Sequence, residues 1–281
     1  MSRVAVIGIV GNSVFLEVEK FHEGGETVEA KSVHFELGGK GFNQAVAAAR
    51  YGAEVSFLAA VGGDRLDEVK AFLENEGISP RLAEKDEQTA FAAIVTDKSG
   101  SNHVTVYQGA QLSESDVLSF ENEIASADIL LLNNEVSENV NVRAVEIAKR
   151  HGVFVVLNPA PARETLPCII ENVDLFTPNE HETLGLEDKD NVIVTVGKRG
   201  CIIKSENKNI PAVNFGKVLD TTGAGDTFNG VLAAALAEGT ALSDAARVAN
   251  VASSIGVTRR YAVSSIPKRK EIEKFISEME K

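Results

Sequence analysis

A carboxylate just inside the start of a helix, behind a glycine-rich turn, can take a proton from a hydroxyl while nearby amides hold an anion. Asp226 has that setting in Val218-Leu219-Asp220-Thr221-Thr222-Gly223-Ala224-Gly225-Asp226-Thr227-Phe228-Asn229-Gly230. A strand end passes into the turn, and a helix of small and apolar residues follows. The amides of Gly223, Ala224 and Gly225 point out of the helix start, where the dipole adds partial positive charge, so a phosphate fits there. An acid beside a bound phosphate has a use as a base. It would accept the proton of an attacking hydroxyl while the amides neutralise the transferring phosphoryl group. The plainer alternative is an Asp that only favours the dipole of its own helix.

A second cluster is Gly38-Gly39-Lys40-Gly41-Phe42-Asn43-Gln44-Ala45. Its glycines let backbone approach a ligand closely, and Asn43 offers a donor and an acceptor to a polyol. The stretch is not a Walker A loop, because no Ser or Thr follows the lysine and the glycine spacing differs. An ordinary loop-to-helix turn with a solvated lysine is the alternative here.

These clusters need a frame. Apolar runs at residues 4–9, 55–61, 129–132, 153–157, 175–176 and 192–196 predict strands buried on both faces, with helical patterns at 43–51, 66–76, 140–151 and 182–184 between them. Such alternation predicts βαβ units and a mainly parallel sheet. Helices are expected at 225–238, 243–257 and 268–281. Residues 14–20 with 27–35, and 90–96 with 103–108, alternate polar with apolar around turn signals and predict two hairpins. Together these would form a small antiparallel sheet, a lid or a dimer surface, inserted at about 14–37 and 90–108 in one domain spanning 1–281.

The chain has 28 Lys plus Arg against 41 Asp plus Glu, a net charge of -13, which speaks against a nucleic-acid or anionic-membrane surface. A nucleotide needs only a few amides and one or two cations, and is not excluded. Cys168 and Cys201 lack metal-ligand spacing and read as reduced thiols. No signal sequence or spanning stretch is legible, and a soluble cytoplasmic protein is expected.

The glycine-rich block at 38–53, Asn158-Pro159-Ala160-Pro161-Ala162, Thr177-Pro178-Asn179-Glu180-His181-Glu182 and the block at 220–230 occur in this order. With that order and spacing the chain resembles the PfkB family of carbohydrate kinases, its ribokinase-like group, from about residue 3 to 275. The resemblance implies a three-layer α/β/α sandwich of the ribokinase-like type with a β lid. It implies ATP as phosphoryl donor, magnesium as cofactor, and a sugar such as ribose or a related furanose or polyol as acceptor. Asp226 matches the catalytic base, and Gly223, Ala224 and Gly225 the anion hole. Gly39, Lys40, Asn43 and Glu135 match sugar-contacting positions. Asn179 and Glu182 match the motif that organises magnesium and its waters, and an amide with a carboxylate suits a hard cation. Thr195, Gly197 and Gly200 match the loop beside the nucleotide, and Asn250 falls where the adenine is covered. A potassium site is implied at Asp220, the Thr222 carbonyl and the loop after Thr258.

Two departures stand out. Tyr261 occupies a position where the group usually has glycine, which weighs against potassium activation. After the first strand, Gly11 and Ser13 stand where the group has a sugar-binding Asn and Asp. Ser13 can bond a hydroxyl only as a neutral partner. Two other functions are therefore carried forward. One is a nucleoside kinase of the same fold, using Phe15, Phe42 or Phe91 against a base. The other is a sugar sensor without turnover.

Overall fold

Apolar side chains alternate between the two sides of each central strand, and that alternation divides the core in two. The computed structural model describes residues 2–99 and 101–279. The chain runs β1 (Arg3–Ile7), β2 (Gly11–Val18), β3 (Ala30–Gly38), α1 (Lys40–Tyr51), β4 (Glu54–Gly62), α2 (Leu66–Asn75), β5 (Ile78–Lys85), β6 (Ala90–Thr96) and β7 (Asn102–Tyr107). It continues as α3 (Glu114–Ser119), α4 (Glu121–Ser126), β8 (Ile129–Asn133), α5 (Glu138–His151), β9 (Phe154–Asn158), α6 (Pro167–Ile170) and β10 (Leu175–Phe176). The last third is β11 (Ile193–Thr195), β12 (Cys201–Ile203), β13 (Lys208–Ile210), α7 (Ala224–Ala237), α8 (Leu242–Gly256) and α9 (Arg269–Met279).

Six strands form a parallel sheet in the order β10-β9-β8-β1-β4-β5. Val4 and Val6 of β1 point to one side, where α1, α2, α7, α8 and α9 close the first core. Ala5 and Ile7 point to the other side, where α3 to α6 close the second. This is the expected α/β/α sandwich. Among the described residues no helix is long and apolar enough to cross a membrane.

Three expectations are corrected. Residues 192–196 do not extend the parallel sheet as a full strand. Val192, just before β11, bridges Phe176 of β10, and β11 itself pairs antiparallel with β12, which pairs antiparallel with β13. Residues 182–184 are a turn rather than a helix, because the Glu182 carboxylate bonds back to the Asn179 backbone N at 2.9 Å and closes a loop. The lid sheet, ordered β3-β2-β6-β7, is mixed rather than antiparallel. Each hairpin is antiparallel, but the two abut through β2 and β6, which run parallel from Gly11↔Ala90 to Glu17↔Thr96. Period 2 reveals a hairpin and its faces, not how one hairpin lies against another.

The helices that carry the site pack unusually close. A Cβ on Gly230 of α7 would lie 2.2 Å from the Gln44 carbonyl oxygen and 2.6 Å from the Ala47 Cβ on α1. Only glycine permits that approach, and it brings the first turns of α1 and α7 face to face.

Candidate active site

Asp226 lies in the first turn of α7, with 7% of its surface exposed. Asn43 Nδ2 donates to its Oδ2 at 2.9 Å, and Gln44 Nε2 donates to its Oδ1 at 3.2 Å. Gln44 Nε2 also donates to Asn158 Oδ1 at 3.2 Å, and Asn158 Nδ2 donates to the Thr177 carbonyl at 2.8 Å. Thr177 Oγ1 bonds Asn229 Oδ1, and Asn229 Nδ2 donates to the Gly225 carbonyl at 2.8 Å, one residue before Asp226. A closed polar ring thus fixes the carboxylate from behind, tying α7 to α1 and to the ends of β9 and β10. Buried polar groups are tolerated when bonded in this way. Asn43 Oδ1 and Gln44 Oε1 are buried without a partner. A hydroxyl placed beside Asn43 and Asp226 would supply a donor that the site lacks.

The acceptor turn is built by Gly39, which caps α1. Its φ is 113°, and a Cβ there would lie 2.4 Å from the Ile9 carbonyl oxygen. The Lys40 backbone N donates to Glu135 Oε2 at 2.7 Å, so Glu135, just past β8, joins Lys40 and Asn43. Asp226 is the main reason that the Lys40 ammonium titrates above its usual range, with Glu135 and Glu182 adding to it against the cost of burial. Burial pushes the Glu135 carboxyl up to about 7, a rise that the Lys40 charge partly offsets. Asp226, Asn43, Lys40 and Glu135 are therefore one electrostatic cluster, as the sequence led us to expect.

Ser13 lies over the turn as well, since a Cβ on Gly38 would lie 2.8 Å from its Oγ. It shares a lid face with Phe15, Glu36 and His34, while Asn12 and Phe91 point from the opposite face. Of the aromatics considered for a base, Phe42 is fully buried against Phe57 and Phe72. Phe15 leans on Tyr261 at 5.3 Å between ring centroids. None of the three presents a free ring to the site.

On the other side of Asp226 a cleft of about 560 Å³ runs past Gly197, Phe215, Thr221, Ala224 and Asn250. Asn250 Nδ2 donates to the Ile210 and Pro211 carbonyls at 3.2 and 2.8 Å, which fixes one wall. Gly197 and Gly200 bracket the 3-10 turn after β11 at φ 56° and 94°. Thr195 bridges to Asn179, its N donating to the Pro178 carbonyl at 2.8 Å. Of the three expected anion-hole amides, Ala224 N already donates to the Thr221 carbonyl at 3.2 Å. Gly225 N belongs to the helix start, where amides have no partner within the helix. A separate hollow of about 600 Å³ is lined by Arg143, Lys149 and Cys168. It lies at α5 and α6, across the sheet from Asp226, and holds none of these residues.

Asn179 Nδ2 donates to Glu182 Oε1 at 2.7 Å, which holds the carboxylate in place. Among the described residues no three His, Cys, Asp or Glu side chains gather to hold a metal. One oriented carboxylate without a protein cage fits a magnesium ion carried by phosphates and waters. The potassium set fits badly. Asp220 Oδ1 accepts from Thr222 N and Oγ1 at 2.9 and 2.7 Å, and its Oδ2 accepts from Tyr261 N at 2.9 Å. In the following loop, Arg50 Nη1 takes the Val263 and Ile266 carbonyls at 2.8 and 3.0 Å, and Arg259 takes that of Ser265. Both Asp220 oxygens and the loop carbonyls of Val263, Ser265 and Ile266 thus already accept hydrogen bonds.

A glycine-rich helix start, a buried carboxylate beside it and an adjoining cleft agree with a phosphotransferase that has an alcohol acceptor, the class that the comparisons show. The sequence matches the pfkB family carbohydrate kinase over residues 1–269, and the chain belongs to that family. It is 35% identical to a ribokinase of Haemophilus influenzae over 97% of this chain and 98% of that one. Among solved structures it is similar to ribokinase from Thermotoga maritima, with TM-score 0.88 and 32% identity over 99% of this chain and 100% of that one. It is also similar to Arabidopsis thaliana ribokinase complexed with ribose and ATP, with TM-score 0.84 and 26% identity over 98% of each.

Sequence reasoning missed Gln44 as a partner of Asp226 and Asn229 as the residue that fixes Gly225 beside it, although both stand inside the quoted motifs. A polar residue in an otherwise apolar helical stretch was the available signal. Glu36 was missed entirely.

Proposed function

We propose that this kinase transfers the γ-phosphoryl of ATP to a hydroxyl of ribose or a related furanose or polyol, with Asp226 as the base. The observation that carries the reading is the Asn43–Asp226 bond of 2.9 Å, with an unpartnered Asn43 oxygen beside it. The acceptor hydroxyl gives its proton to Asp226 as its oxygen bonds the γ-phosphorus. The bond from that phosphorus to the β-phosphate oxygen breaks, and ADP leaves. Gly223 and Gly225 amides receive the phosphoryl charge at the start of α7, and Lys40 adds positive charge beside Asp226. Glu135 and Ser13 hold other acceptor hydroxyls. ATP occupies the cleft at Asn250, with Thr195, Gly197 and Gly200 beside it. When bound, magnesium supplies charge neutralisation at the phosphates, and Asn179 with Glu182 are the residues that would hold it through water.

The similarity to ribokinases supports ribose as the first acceptor to try, and the neutral Ser13 supports related sugars. We read the chain as one cytoplasmic domain with an inserted lid. Val33, Phe35, Phe91 and Tyr107 are exposed on one lid face, an apolar surface that suits a homodimer through the lid. The test is ADP release from magnesium-ATP with a panel of pentoses, hexoses, polyols and nucleosides. Stimulation by a furanose sugar is expected. Preference for nucleosides would replace the acceptor, and no stimulation by any compound would leave the sensor reading.

A further inference from the structure

The lid strand that ends in the acceptor turn also grips the loop behind the anion hole, through one carboxylate that the functional reading has not used. Glu36 sits on β3 opposite Ser13, two residues before Gly38, and its side chain is only 8% exposed. Its Oε1 accepts from Ala262 N at 2.7 Å and Val263 N at 3.3 Å. Its Oε2 accepts from Ser264 N at 3.3 Å and Ser264 Oγ at 3.0 Å. Among the described residues the ion-pair partner of Glu36 is His34, with Nε2 3.6 Å from Oε2. A carboxylate this buried is costly unless bonded, and the seated loop supplies the bonds that let it be buried there.

The seated loop reaches the site in two ways. Ala262 underlies the anion hole, since a Cβ on Gly223 would lie 3.1 Å from its Cα and Cβ. Tyr261 N donates to Asp220 Oδ2 at 2.9 Å, and Asp220 in turn fixes Thr222. His34 stacks on Tyr261 with centroids 3.7 Å apart, a second grip from the same strand. From below, Arg50 of α1 holds the Val263 and Ile266 carbonyls. The loop is thus held between α1 and the lid.

The geometry points to Glu36 as a positioning residue that couples lid closure over the acceptor to the placement of the Gly223–Gly225 amides. This rests on the phosphoryl-transfer reading. The Glu36 carboxylate is taken up by residues 262–264. It makes the anion hole complete only when β3 is down, so the binding of an acceptor and the assembly of the phosphate site become one event. Misplacing such amides by about 1 Å costs about a hundredfold in rate.

The test compares wild type with Glu36→Gln, Glu36→Ala, Ser264→Ala, the Glu36→Ala/Ser264→Ala pair, and Ser32→Ala as a control on the exposed part of β3. Turnover, KM for acceptor and for nucleotide, and hydrogen exchange of residues 221–225 and 261–265 are read. Glu36→Ala should lower kcat about 10- to 100-fold, with nucleotide KM within about threefold of wild type and acceptor KM raised by less than kcat falls. Glu36→Gln should fall between, and Ser264→Ala should add nothing to Glu36→Ala. Exchange should quicken in both segments for Glu36→Ala, with Ser32→Ala unchanged. A raised acceptor KM at unchanged kcat would make Glu36 a substrate contact and overturn the proposal. Unchanged exchange at 221–225 would overturn it too. If no compound in the panel supports turnover in wild type, the functional reading fails instead, and exchange alone decides whether lid and anion hole are coupled.

Discussion

Replacing Asp226 by Asn separates the base from everything else at the site. The substitution keeps the shape of the side chain but turns one oxygen into an NH2 group. In the native site both oxygens accept, from Asn43 at 2.9 Å and Gln44 at 3.2 Å. A simple exchange would set two donors against each other, at about 1–3 kcal/mol for an unmade buried bond. Asn43 can relieve this, because its Oδ1 has no partner and a flip of the amide lets it accept from the new NH2. The fold should therefore lose little, under about 1 kcal/mol by urea unfolding. That flip also occupies the oxygen offered to the acceptor, so acceptor KM should rise by one neutral hydrogen bond, about 2- to 10-fold. Turnover should fall much further, by about 10²–10⁴, or about 2.7–5.5 kcal/mol of barrier. Coupled measurement of ADP release at saturating ATP and acceptor reads kcat directly. A kcat within about threefold of wild type would refute the base assignment. Glu135, whose carboxyl is raised to about 7, would then be the next candidate.

Four further outcomes follow from the same geometry. Gly230→Ala places a methyl 2.2 Å from the Gln44 carbonyl, where backbone must move; it should cost about 1–3 kcal/mol or more in urea unfolding, and lower kcat by parting Gln44 from Asp226. Acceptor KM should fall as pH rises through about 7, because Glu135 then binds a hydroxyl as a carboxylate, and Glu135→Gln should flatten that limb in pH-dependent kinetics. The folded-state value is raised, so Glu135 favours the fold while protonated and that contribution is lost from 4.5 up to about 7; the unfolding free energy of wild type relative to Glu135→Gln should decline over that interval. Exchanging potassium for a bulky organic cation at constant ionic strength should leave turnover unchanged, since donors already occupy Asp220 and its loop carbonyls, and several-fold activation by potassium would contradict this.

Much of the site was legible because chemistry there depends on local strings. Asp226 with its glycine turn, and Lys40 with Asn43, sit within a few residues of each other and of their helix starts. Partners drawn from far along the chain were not legible. Gln44 looks like any polar residue on a helix until Gly230 brings α7 within reach. Glu36 reads as one polar position in an alternating strand, and only the fold brings residues 262–264 to it. β5 was passed over because its edge position leaves a polar pattern, Ile78-Ser79-Pro80-Arg81-Leu82-Ala83-Glu84-Lys85, with Ile78 its one fully buried residue. The short helices α3 and α4 fall below the length at which periodicity is decisive, although the Ser113–Asp116 capping box marks the first. The parallel seam between the two lid hairpins has no local signature at all.

The contact between Asn43 and Asp226 joins residues 183 positions apart. Closing so long a loop is entropically costly and slow compared with forming the hairpins and helices between them. During synthesis the turn that holds Asn43 leaves the ribosome before Asp226, and their contact waits for the chain between them. On the proposed reading, this pair therefore comes together after the hairpins and helices between its members have formed. Until then Asn43 stands without the carboxylate that the fold places beside it.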